Sequence, residues 1–116
     1  MRSSLALFAF LALAVVACSD STSSSNPCAN SGAAATVSAT DNFAFTPASV
    51  TITVGQSVCW QNTGHMTHTV TENVVGRFNG NLPEGQAFVY TFTFSSSFGY
   101  HCNNHSNMTG TVVVNP

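Results

Sequence analysis

From residue 36 onward, apolar and polar positions alternate with a period of two. Val50, Ile52 and Val54 alternate with Thr51 and Thr53, and after Gly55-Gln56 the pattern resumes at Val58 and Trp60. Phe88, Tyr90, Phe92 and Phe94 alternate with Val89, Thr91 and Thr93. Residues 111–114 form a β-branched run, and 37–39, 68–71 and 98–102 are shorter candidates. Period two, rich in β-branched and aromatic side chains, is the mark of half-buried strands. Turn residues separate the runs at Pro47, Gly55, 62–64, 79–81 and 83–85. About seven short strands without helical periodicity predict an all-β chain, an antiparallel Greek-key β-sandwich or barrel. Residues 71–85 have weak strand character and read as a long loop with room for a short helical turn.

The N-terminus does not share this pattern. Met1-Arg2 precedes an unbroken apolar run over residues 5–17. A bilayer span needs about 20 such residues, so the run fits the apolar region of a secretory signal peptide. It ends in Val15-Val16-Ala17-Cys18, which resembles the lipobox of bacterial lipoproteins. That resemblance implies a signal peptide over 1–17 and a lipid on Cys18. Residues 18–35 then form a Ser-rich tether, because such a polar stretch has little apolar surface to bury. The folded domain is expected over 36–116, large enough for one small core. The chain is expected to be exported and lipid-anchored at the bacterial cell envelope, on its periplasmic side or at the cell surface.

Charge narrows the partners. The chain has two basic and four acidic residues, and 5% of it is charged, against about 25% in average soluble domains. So few cations cannot neutralise a phosphate backbone, which argues against nucleic acid. Beyond the leader, one Arg faces four carboxylates, leaving a formal charge of −3 with no run of like charge. Nine Phe and one Trp supply the core that a disordered chain lacks. A monomer is expected.

Candidate chemistry lies in His101-Cys102-Asn103-Asn104-His105-Ser106-Asn107-Met108. A thiol, an imidazole and a thioether recur at i, i+3 and i+6. Thiolate, imidazole and a weak thioether together suit copper cycling between two oxidation states. A second imidazole must come from elsewhere, and His68, opening an apolar strand, is the candidate. Taken singly, Met108 also suits a core gap and Cys102 a buried thiol or half of a disulfide. A tetrahedral zinc site of His65, His68, Cys102 and His105 is a further alternative.

These segments resemble the cupredoxins, small blue copper proteins of the plastocyanin and amicyanin type, across nearly all of 36–116. Phe45-Thr46-Pro47, Val50-Thr51-Ile52 and Gly55 are similar to the early strands of that family, and 58–62 to the next. Met66-Thr67-His68-Thr69-Val70 matches the segment with the first His ligand, and residues 100–105 the Cys and second His. Met108, Gly110 and Val112 complete the pattern. The two residues between His105 and Met108 are similar to the short amicyanin loop. The resemblance implies a trigonal plane of His68, Cys102 and His105 with Met108 axial, both imidazoles using Nδ1. It implies outer-sphere transfer of single electrons between a donor and an acceptor, through an apolar patch around the edge of His105. No enzyme chemistry is expected, since no carboxylate is positioned for a triad. Envelope copper delivery, or a zinc-binding or metal-free surface sandwich lipoprotein, stands as the alternative.

Two departures and one pairing complete the expectations. Thr69 stands where many family members carry an Asn that braces the Cys loop, and its hydroxyl offers fewer bonds than an amide. Thr69 and Asn103 are the residues expected directly behind the ligands. Ser95-Ser96-Ser97 replaces a Gly-Pro turn common in the family. With Cys18 assigned to lipid and Cys102 to copper, Cys28 and Cys59 remain as an even pair in a secreted chain, which suggests a disulfide. Between inward-facing Val58 and Trp60, Cys59 points outward to meet the arm carrying Cys28.

Overall fold

A computed structural model describes residues 26–116. The expected signal peptide, the Cys18 lipid site and residues 18–25 of the Ser-rich tether lie outside the described residues. Nine strands follow in order: β1 Ala35–Thr40, β2 Ala44–Thr46, β3 Ser49–Thr53, β4 Ser57–Asn62, β5 His68–Glu72, β6 Asn79–Leu82, β7 Ala87–Thr91, β8 Ser96–His101 and β9 Thr109–Asn115. They form two sheets, ordered β2-β1-β4-β7 and β3-β9-β8-β5-β6. The all-β sandwich is the expected one, and two features differ from the sequence reading.

First, the sheets are mixed. β1 pairs parallel with β4, and β3 parallel with β9, while the other five pairings are antiparallel. The chain leaves the first sheet after β2, adds β3 to the edge of the second, and returns as β4. Alternation reports which face a side chain takes, not which strand lies beside it.

Second, the expected loop over 71–85 contains β6, and no helical turn is found among the described residues. Its sequence, Asn-Gly-Asn-Leu, has poor strand propensity. Tertiary packing overrides that: Gly80 lies against the Phe88 ring, where any Cβ would collide. Leu82 is fully buried, and Phe78, just ahead of β6, stacks on Trp60 with centroids 5.7 Å apart. The turn before β6 is organised by Glu72. Its buried carboxylate accepts the N–H groups of Val74, Val75 and Arg77 at 2.9–3.2 Å. Those bonds, led by the one from Val75, hold its pKa below the usual carboxylate value despite burial.

The core between the sheets is aromatic. Trp60 and Tyr100, both fully buried, meet edge to face at 5.4 Å, and Phe92 and Phe78 pack alongside. Burial pushes the Tyr100 phenol up to about 12. Gly110, opposite Tyr100 in the β8–β9 pair, leaves room for that ring, which a side chain would strike. The folded body extends further toward the N-terminus than residue 36. β1 begins at Ala35, Ala34 donates its N–H to the Ser57 carbonyl, and Cys28 is joined to Cys59. Cys59 faces away from the core yet is fully buried, because the arm covers it.

Candidate metal centre

Strand alternation positions the first ligand candidate. In β5, His68, Val70 and Glu72 turn inward, whereas Thr69 and Thr71 turn outward. His68 is therefore fully buried at the end of the sandwich. β8 runs antiparallel beside β5 and delivers Cys102 just past its last residue, His101. The chain then loops from Cys102 to Met108 and closes on itself. Cys102 donates its N–H to the Met108 carbonyl at 3.0 Å, and Met108 donates its N–H to the His105 carbonyl at 3.3 Å. Asn104 Nδ2 ties the loop to the Thr67 carbonyl at 3.0 Å, just ahead of His68.

Three donor atoms converge. His68 Nδ1 and His105 Nδ1 lie 3.1 Å apart, and Cys102 Sγ lies 3.8 Å from the first and 3.5 Å from the second. A triangle with these sides has a circumradius of about 2.0 Å, the length of a metal–imidazole bond. These are the only three His, Cys, Asp or Glu residues among the described ones that are grouped closely enough to hold an ion. Burial, reinforced by the neighbouring His105, holds the His68 pKa below its ordinary value, which favours the neutral, ligating imidazole. Cys102 is nearly fully buried and is the one free cysteine among the described residues. The donor set and its spacing fit a soft, redox-active metal such as copper. Met108 is fully buried in the adjoining core.

The β1–β2 turn covers the centre. It places Phe43, nearly half exposed and at φ 57°, against the His105 ring, with centroids 4.8 Å apart. The same turn carries Asp41, whose carboxylate accepts the N–H groups of His65 and Met66 at 2.9–3.2 Å. Those bonds, the one from Met66 foremost, lower the Asp41 pKa. Sequence reasoning counted Asp41 only as charge, since nothing local marks it as a brace for a loop 24 residues away. His65 lies outside the cluster: its Nδ1 meets Glu84 at 2.7 Å in solvent, and that contact raises its pKa. His101 points away from Cys102, with Nδ1 2.5 Å from Asn73 Oδ1 and Nε2 2.9 Å from Asn103 Oδ1.

Behind Cys102 stands Thr69. Its backbone N–H donates to Cys102 Sγ at 3.3 Å, and its hydroxyl accepts the Asn103 N–H at 2.8 Å. Both residues expected behind the ligands are thus in contact with the Cys102 turn.

Residues 32–115 match the copper-binding proteins of the plastocyanin/azurin family. The chain is 37% identical over 70 residues to amicyanin of Paracoccus versutus, a stretch covering 56% of this chain and 53% of that protein. It thus spans about half the length of that curated relative. A reduced amicyanin variant is similar in structure, with TM-score 0.64, 30% identity, and coverage of 73% of this chain and 84% of that one. A purple cupredoxin from Nitrosopumilus maritimus has the same fold, with TM-score 0.66 over 70% of this chain and 99% of that one, at 24% identity.

Proposed function

The chain belongs to the plastocyanin/azurin family of copper-binding proteins, and on that premise we propose that it carries single electrons between redox partners at the cell envelope through a type 1 copper site. The observation that carries the reading is the convergence of two imidazole Nδ1 atoms and one buried thiol on a single point. His68, Cys102 and His105 would hold the ion, and the Met108 thioether would be a further, weak donor. Copper supplies the one-electron couple. The protein supplies rigidity and dryness: ligands from two strands and one short loop, closed by backbone hydrogen bonds, leave little to rearrange when charge changes. His105, half-buried beneath Phe43, is the ligand nearest solvent, and its edge is the route to a partner. No bond of a substrate is made or broken.

Loading the purified protein with Cu(II) tests this. An intense thiolate-to-copper band with narrow copper hyperfine splitting is expected. Colourless protein with ordinary tetragonal copper, or a preference for zinc, would remove electron transfer as the function.

Met108→Leu is expected to retain copper and raise the reduction potential, because Cu(II) loses more than Cu(I) when the coordination number falls. Voltammetry reads the shift, and an unchanged potential would make Met108 a core residue only.

The leader and Cys18 support export and a lipid anchor, with the body tethered to the membrane surface. Cys18→Ala is expected to move the protein from the membrane to the soluble fraction. Continued sedimentation with membranes would refute the anchor.

A further inference from the structure

The outer face of β5 holds a hydrogen-bond chain that extends well past Thr69. Thr71 lies two residues on, on the same face, paired with Asn79 on β6 and His101 on β8. Its hydroxyl has three neighbours: Asn79 Oδ1 at 2.9 Å, Thr69 Oγ1 at 3.1 Å and Asn103 Nδ2 at 3.1 Å. A hydroxyl has one proton and two lone pairs. The amide oxygen of Asn79 can only accept, so it takes the Thr71 proton. Asn103 Nδ2 can only donate, so it fills one Thr71 lone pair. The Thr69 hydroxyl must then donate into the other. Because the Thr69 oxygen accepts the Asn103 N–H, a single direction follows: Asn103 N–H to Thr69, Thr69 O–H to Thr71, Thr71 O–H to Asn79. Bonds aligned head to tail polarise one another.

We propose that Thr71 is a positioning residue for Cys102, the hub that, with Asn79, completes the brace a single Thr69 hydroxyl could not make alone. Each donor along the chain fixes the next, so the turn after Cys102 is held to β5 by two bonds from Asn103 rather than one. Fixing Thr69 also aims its N–H at Cys102 Sγ, where a donor draws electron density from sulfur and favours the reduced metal. The potential role rests on the copper reading of the site; the mechanical role does not.

The test uses Thr71→Val, which keeps shape and removes the hydroxyl, with Thr71→Ser as the conservative rescue. In the metal-free protein, amide hydrogen exchange at Asn103 is expected to accelerate about tenfold in Thr71→Val, with β9 amides unchanged, and to return to the parent rate in Thr71→Ser. In the copper form, Thr71→Val is expected to lower the reduction potential and Thr71→Ser to leave it near the parent value. Asn79→Ala removes the terminal acceptor while leaving the Thr71 side chain itself intact, and should repeat both effects if Thr71→Val fails to fold. Unchanged exchange at Asn103, or a uniform acceleration through β5, β8 and β9, overturns the brace. Faster exchange with an unmoved potential overturns the link to the sulfur. A parent protein lacking the type 1 spectrum sinks the copper reading and the potential role with it, while the exchange result still decides the mechanical one.

Discussion

Replacing Cys102 by Ser is expected to abolish the visible colour of the copper-loaded protein outright. The absorption arises from electron transfer out of a thiolate into Cu(II), and Cys102 carries the one free thiol among the described residues. A Ser oxygen is a hard donor that holds its electrons too tightly to give that band. Its proton is also retained far above neutral pH, so the site becomes two imidazoles and a weak neutral ligand. Copper bound there should take tetragonal coordination with additional oxygen donors, and its hyperfine splitting should widen accordingly. The fold should survive, because Ser is close in volume and the loop is closed by backbone bonds from Cys102 and Met108 that the substitution leaves in place. Visible absorption and paramagnetic resonance on the same sample decide it. Retained colour would refute the ligand assignment at its centre, since His68 and His105 alone cannot produce it.

The legibility of this site follows from its construction. The Cys, His and Met spacing is local, so one loop displays three candidates in seven residues. His68 is legible as the imidazole that opens an apolar strand in a segment resembling the family's first His ligand, and the structure brings its Nδ1 to 3.1 Å from His105. What stayed hidden is held by pairings between strands. The role of Thr71 depends on Asn79, in a strand whose Asn-Gly-Asn sequence reads as a turn. Asn79 and Thr71 become neighbours only once β5 and β6 are in register. Asp41 likewise becomes a brace only when the β1–β2 turn is folded over residues 64–66. Parallel pairing of β1 with β4 and β3 with β9 has no counterpart in a pattern that encodes faces. The strand-forming force in β6 comes from Phe78 and Leu82 reaching the aromatic core, and those two apolar residues were the signal available within the supposed loop.

Removing the Cys28–Cys59 bridge, through Cys28→Ala with Cys59→Ala, is expected to destabilise the protein strongly while leaving the copper spectrum as it was. The bridge closes a sequence separation of 31 residues. Loop-closure entropy removed from the unfolded chain then stabilises the folded state by about 3.7 kcal/mol. In a domain of this size that corresponds to a fall in Tm of roughly 15–30 °C. Both sulfurs are buried, so the double variant also loses packing between the arm and the sheet. Without the bridge, the arm retains the Ala34 N–H to Ser57 carbonyl bond and its own turn bonds, which anchor it only at the β1 end. The proposed copper ligands belong to β5 and the loop after β8, in the opposite sheet, and Cys59 faces away from the core that separates them. Thermal unfolding and the visible spectrum, measured on the same variant, separate the two roles. A Tm within a few degrees of the parent would mean the arm contributes little to the folded state. A large fall accompanied by a changed spectrum would mean that the arm, through β4 and Trp60, also sets the geometry of the metal centre.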